Sequence, residues 1–408
     1  MATSSISRNL DSVRSGSTTS LPKHLSVSLT TIGIASVIAS LGLAFSTEVG
    51  PRRLSHAWLL NGWFTLSISL GSLFFIAIQH LVRAGWSVTV RRVAEVLGAS
   101  IGAPLLLMVP LLALLIFGHS DLFPWNDSEV VAADKILKGK SAYLNAPFFI
   151  VRAVVYATAW IYCGRWYLGV SRKQDESGDS SLTSKMESRS APLLLLLALT
   201  ITFAAFDWLM SLDPHWFSTI FGIYAFSGVM VAALAVIAIV TAIMVRTKAS
   251  PAVHKEHLHD VVKLLFGMNC FWAYIAFSQY LLIWYANIPE ETVWLKHRQE
   301  YGWNAVTLAL AIGHFGIPFV VLMPRAAKRN TSLVVLMSLG LLAMHWLDLY
   351  WIVYPQFDKR PVFGLLEVLS GIGFLSLFGL AVLRRLRGSS FVAIRDPRLS
   401  ESVTHVVH

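Results

Sequence analysis

Residues 192–244 read PLLLLLALTITFAAFDWLMSLDPHWFSTIFGIYAFSGVMVAALAVIAIVTAIM. Two apolar runs, 192–212 and 215–244, flank the short break Asp213-Pro214. Each is at least as long as the roughly 18 residues that cross a bilayer as a helix. The stretch therefore predicts a hairpin of two membrane spans. Asp213 is expected as the N-cap of the second span, with Pro214 at its first helical position, because both residue types are preferred there. Asp207 has no such account, since it lies inside the first apolar run between Phe206 and Trp208.

The same reading along the chain predicts ten spans: about 27–45, 57–79, 94–117, 146–169, 192–212, 215–244, 259–288, 303–323, 332–354 and 363–383. The composition agrees. Of 408 residues, 55% are hydrophobic and only 14% charged, against about a quarter charged in soluble proteins. Mean hydropathy is +0.61. The expected class is an all-α polytopic membrane protein.

The net charge of +10 carries topology rather than nucleic-acid binding, because no basic stripe stands on a soluble domain. Basic clusters at 83–92, 165–189, 246–263, 325–329 and 384–398 all fall on the side of the termini. The positive-inside rule then predicts both termini in the cytoplasm. Residues 1–26 are polar and rich in Ser and Thr, without a cleavable apolar core, and are expected to be a disordered tail. Residues 384–408 are expected to be a basic cytoplasmic tail. Most of the 14 tryptophans lie toward the other face, which points to an interfacial belt or a docking surface there.

A weak repeat runs through the spans. Asp207-Trp208-Leu209 in the fifth matches His345-Trp346-Leu347 in the ninth, and RRVAEVLG (91–98) matches HDVVKLLFG (259–267). This predicts two parallel four-helix bundles, at 57–212 and 213–354, with flanking helices at 27–45 and 363–383.

Ionisable groups inside spans are costly and need partners. Arg152, Asp207, His345, Asp348 and Glu367 lie toward the outer side, and His314 lies near the midplane. His80, Glu95, His259, Asp260 and Lys263 lie toward the cytoplasmic side, where Glu95–Lys263 is the expected salt bridge. His345 and Asp348, spaced i, i+3, share a helix face and form a pair able to hold and pass a proton. His215 sits at the outer boundary. Together these residues supply polar groups at every depth, as a proton path requires. The alternative for each is a buried pair that only ties helices together.

The two cysteines, Cys163 and Cys270, show no haem-attachment or iron–sulfur spacing. Walker, GxGxxG and HExxH motifs are absent. A b-type haem would need facing histidines, and only His314 and His345 lie deep enough. No metal ligand set, bound cofactor or catalytic residue is expected within the chain. Quinone remains possible, with Gln279, Tyr280, Tyr285 and His345 as outer-side hydrogen-bonding candidates.

Three long segments carry a family resemblance: QHLVRAGWSVTVRRVAE (79–95), FDWLMSLDPHWFSTIFGIYAFSG (206–228) and FSQYLLIWYANIPEET (277–292). The chain resembles the NrfD/PsrC-like integral membrane family, and within it the ActF-type, quinone-binding subunit of alternative complex III, a bacterial quinol:cytochrome c (or quinol:oxygen acceptor) oxidoreductase. The resemblance covers nearly all spans and omits 1–25 and 388–408. It implies two four-helix bundles and a place in the bacterial cytoplasmic membrane. The implied partners are a sister NrfD-like subunit, an iron–sulfur subunit, multihaem cytochromes c, smaller membrane subunits and, in some cases, a terminal oxidase. Quinol (menaquinol or another) is oxidised mainly in the sister subunit. The implied role here is scaffold and proton conduction through Arg152, Asp207, His314, His345, Asp348 and Glu367. Two rivals stand beside it: a quinol site within this chain, or a stand-alone secondary transporter, which its unbroken spans disfavour.

Overall fold

The computed structural model describes residues 23–118 and 122–406. These residues form helices and connecting turns, with no strand among them. Ten helices are long and apolar enough to cross a membrane, so the chain is a multi-pass membrane protein. They are α1 (Lys23–Ala44), α2 (Gly50–Leu81), α3 (Gly85–Ile116), α4 (Ala146–Ser177), α5 (Ser181–Leu212), α6 (Phe221–Thr247), α7 (Lys255–Ala286), α8 (Trp303–Leu322), α9 (Thr331–Gln356) and α10 (Leu365–Leu386).

Helices α2 and α6 form the centre. In their most apolar windows 83% and 72% of residues are buried, against 22% in α1 and α8. Small residues make this possible. At Gly71 of α2 an added Cβ would lie 2.4 Å from the Val229 carbonyl oxygen of α6 and 2.6 Å from Ala233 Cβ. Helix α2 also packs on α3, α5, α9 and α10, and α6 on α5, α7 and α9. Helices α1 and α10 lie against each other.

The helices outrun their apolar cores. Helix α5 begins at Ser181 rather than near Pro192, because its first turns are buried: Met186 and Ser190 are fully covered, and Ser190 Oγ meets Tyr167 Oη at 2.9 Å. Helix α3 is broken between Ala99 and Gly102. Pro104 has no N–H for the Ser100 carbonyl, which accepts from the Ala103 N–H at 3.0 Å instead.

Two expectations are corrected here. Helix α6 starts at Phe221, not 215, and its N-cap is Ile220, not Asp213. Residues 213–220 run in turns because Trp216 is drawn away to stack on Trp294, 4.3 Å between centroids. Asp213 Oδ2 accepts from Gln356 Nε2 at 3.1 Å. The residues beyond α10, expected as a basic tail, fold back as a strap. Val392, Ala393 and Leu399 are buried, and Asp396 pairs with Arg91 at 2.5 Å. Of the expected N-terminal tail, residues 1–22 lie outside the described residues, and 23–26 are the first turn of α1.

Candidate functional site

Three buried carboxylates stand toward the end of the bundle opposite the basic loops, and their partners divide them into two kinds. Asp207, near the end of α5, accepts from Arg152 Nε at 2.8 Å, Arg152 Nη2 at 2.9 Å and Tyr156 Oη at 2.9 Å. The Arg152 guanidinium lies 4.0 Å from the Tyr143 ring centroid and 4.3 Å from that of Phe148. Glu367, in the first turn of α10, accepts from Arg53 Nε at 2.7 Å and Arg53 Nη2 at 2.8 Å. It also accepts from Tyr354 Oη at 2.5 Å and the Gly364 N–H at 2.8 Å. Both are two-pronged arginine–carboxylate pairs, the geometry that fixes a carboxylate in place.

Asp348 differs. Its oxygens accept from Tyr224 Oη of α6 and, at 3.2 Å, from Trp272 Nε1 of α7. Among the described residues no cation bonds to it, although it is only 3% exposed. His345, one turn earlier, does not pair with Asp348. Both side chains crowd Gly228 of α6, where an added Cβ would lie 2.9 Å from His345 Nδ1 and 4.0 Å from Asp348 Oδ2. Among the described residues neither ring nitrogen of His345 has a hydrogen-bond partner. Sharing a helix face brought the two residues to one place without joining them, because tyrosine and tryptophan from facing helices reach the carboxylate first.

His314 completes this group from α8. Its ring stacks on Trp272 at 3.7 Å between centroids, and Nδ1 lies 3.0 Å from Asn269 Oδ1. Residues Leu310–Gly316 around it are π-helical, a wide turn that recurs at functional sites.

A cavity of about 360 Å³ opens beside the group. Tyr224 and Trp272, the two donors to Asp348, form part of its wall, together with Gln279, Tyr280, Trp294, Arg298, Phe315 and Trp351. Gln279 and Tyr280 both lie in its wall. Tyr285 does not: it is 83% exposed and outside the lining. His345 is outside it too. Arg298 escaped the sequence reading, because a lone arginine in the polar segment LKHRQEYG (295–302) looks like a solvated loop residue. It is 1% exposed and donates only to backbone: Trp351 O at 3.1 Å, Trp294 O at 2.9 Å and Ile352 O at 2.9 Å. Burial pushes its guanidinium down to about 9, partly offset by the charge of Asp213, so it stays a cation at neutral pH.

The remaining candidates lie at the two ends. Glu95 does not pair with Lys263. It accepts a hydrogen bond from Arg91 at 3.2 Å and forms an ion pair with Arg92 at 3.1 Å, both of which reach it within one helix turn. Arg92 continues to Asp175 at 2.5 Å. Lys263 is half-exposed and reaches Asp260 at 3.3 Å. Asp260 also meets His405 of the strap at 2.6 Å and lies 3.6 Å from His259. His80 stacks on Tyr167, and neither ring nitrogen has a hydrogen-bond partner among the described residues. At the opposite end His215 meets Asp134 at 2.5 Å, half-exposed.

No protein-family model matches the chain, and no curated protein matches it.

Proposed function

We propose that this chain is an integral subunit of a quinol-oxidising respiratory complex of the alternative complex III type in a bacterial cytoplasmic membrane. It would serve as scaffold and as part of a proton path coupled to quinol oxidation in a partner subunit. The observation that carries this reading is Asp348. It is a buried carboxylate held by neutral donors, with His345 and His314 nearby and the cavity wall sharing its donors. A carboxylate with no fixed cation is free to take and give a proton, whereas Asp207 and Glu367 are held by arginines. The helix contacts support an arrangement of two four-helix bundles, α2–α5 and α6–α9, with α1 and α10 flanking them. The clustering of basic residues at the end where the strap folds supports cytoplasmic termini. In this reading the partners are a sister membrane subunit, an iron–sulfur subunit, multihaem cytochromes c and smaller membrane subunits.

The test is purification of the tagged chain from its native membrane, followed by reconstitution into liposomes. Haem c should co-purify, and Asp348→Asn should keep haem content while abolishing redox-linked proton movement. A chain that purifies without haem-bearing partners, or an Asp348→Asn complex that moves protons normally, overturns the reading. A second reading, that the chain holds its own quinol site, is favoured by the cavity.

A further inference from the structure

We infer that the notch between α4 and α10, at the end of the bundle that carries the basic loops, is a binding site for an anionic phospholipid with two phosphates, of the diphosphatidylglycerol (cardiolipin) class. Arg165 and Arg172 of α4 and Arg385 of α10 would hold the phosphates, and Gly169 would give the headgroup room between them.

Spacing along the chain sets the site. Arg165, Gly169 and Arg172 follow one another at four and three residues, so they share one face of α4. At 1.5 Å per residue, Arg165 is roughly 30 Å along α4 from Ala146, and Arg385 roughly 30 Å along α10 from Leu365. A hydrocarbon core is about 30 Å thick, so both guanidiniums stand at the level of lipid phosphates.

Three observations carry the ligand. The first is unmatched charge. The charges that bear on Arg385 are those of Arg165 and Arg172, with no carboxylate beside them. Among the described residues the side chains of Arg165 and Arg385 make no hydrogen bond or ion pair. Arg172 donates from Nη2 to the Arg385 carbonyl oxygen, and its buried Nε has no hydrogen-bond partner among the described residues. Glu95, Asp175 and Glu176 lie near Arg172, but Arg92 pairs with the first two and Glu176 is exposed. Gathered guanidiniums repel one another, and an anion among them relieves the repulsion. Phosphate suits the guanidinium fork, and three positive charges are matched more closely by two phosphates than by one.

The second is Gly169. It is exposed, and an added Cβ would meet nothing within 4 Å. Glycine inside a helix is destabilising, and here no neighbouring helix requires the space. It leaves the backbone bare for a headgroup to approach. The third is an apolar floor. Leu168, Val96 and Ala99 are buried together there, with Val382 and Leu386 of α10 packed against them. Tyr162, one turn deeper in the membrane, is 52% exposed and offers the aromatic surface usual at the interface. Basic pockets between spans bind lipids of this class. The notch shares no residue with the Asp348 group or the cavity, so it stands apart from the proposed function.

The experiment is native mass spectrometry of the full chain, purified from its native membrane and stripped of loose lipid. The probes are diphosphatidylglycerol, phosphatidylglycerol, phosphatidylethanolamine and inorganic phosphate. One diphosphatidylglycerol should bind, about tenfold more tightly than phosphatidylglycerol. Arg165→Gln and Arg385→Gln should each weaken it by about tenfold, the loss of a charge-assisted contact. Gly169→Leu keeps every charge but fills the notch, and should weaken binding as much. Arg246→Gln, which removes an exposed cation at the same end of α6, should leave it unchanged. Equal affinity for phosphatidylglycerol or phosphatidylethanolamine, or displacement by inorganic phosphate, overturns the proposal. So does a loss in Arg246→Gln equal to that in Arg165→Gln, which would mark diffuse attraction to surface charge. A Gly169→Leu protein that binds like wild type overturns it too. If Arg385→Gln fails to fold, Arg165→Gln and Gly169→Leu decide, because both residues are exposed.

Discussion

Arg152 and Asp207 meet face to face between α4 and α5, with nitrogen–oxygen distances of 2.8 and 2.9 Å, while Asp348 in the other half of the bundle has only tyrosine and tryptophan for company. The two aspartates are therefore expected to respond differently to the same change. Asp207→Asn leaves a buried guanidinium against a neutral amide, and should cost about 3 kcal/mol. Asp348→Asn keeps an acceptor for Tyr224 and strands no charge, so it should cost no more than about 1.5 kcal/mol. Denaturation midpoints of the two variants in the same detergent check the order. Equal losses would mean that the arginine finds another partner.

Gly71 is expected to tolerate no side chain. With a Cβ 2.4 Å from a backbone oxygen of α6, the two central helices must part. Gly71→Ala should lower stability by about 1–3 kcal/mol, as overpacking does. Gly267→Ala, where nothing lies within 4 Å of the added atom, is the control and should be neutral or slightly stabilising.

The segment 135–140 should loosen in acid. Asp134 is held below the usual carboxylate range, first by the hydrogen bond from His215 and then by the N–H groups of Leu137 and Ile136. A depressed carboxylate contributes stability that is complete above its unfolded value and is lost as pH falls through its folded value. Hydrogen exchange across 135–140, corrected for intrinsic rates, should rise in that acidic window and not near neutrality. In Asp134→Asn the acid dependence should disappear.

The strap should detach as a unit. Asp396 binds Arg91 at 2.5 Å, Arg398 binds Glu187 at 2.5 Å, and His405 binds Asp260 at 2.6 Å. Asp396→Ala removes the most buried of these anchors. Exchange should then quicken across 391–406 and in the first turns of α3, while α9 stays protected.

The spans were legible because length and apolarity act locally, and each of the ten helices overlaps the run that predicts it. That Asp207 needs a partner was legible, because an ionisable group inside a span is costly alone, but not that Arg152 of α4 supplies it. Partner choice elsewhere was not legible either. Glu95 sits one turn from two arginines in its own helix, and that proximity defeated the more distant Lys263. Asp348 was read with His345 because both share a face, but rotation of α6 and α7 decides which donors arrive. Asp213 looked like a cap by local preference, and the stacking of Trp216 on Trp294 overrode it. Arg298 gave no signal at all, because burial of a polar segment by aromatic neighbours is a property of the packed bundle.

The central position of α2 has a consequence for how the chain is made. Thr65, Ser67, Ser69 and Ser72 are all fully buried, and Gly71 rests on Val229 and Ala233 of α6. Those two partners emerge from the ribosome roughly 160 residues after Gly71, a delay of about 10–30 s at ordinary rates of synthesis. During that interval the Gly71 surface of α2 has no protein cover from α6. The insertion machinery, or an earlier-made neighbour such as α3 or α5, must shelter it until α6 arrives. Biogenesis of this protein should therefore pause in a half-built state whose lifetime is set by translation speed.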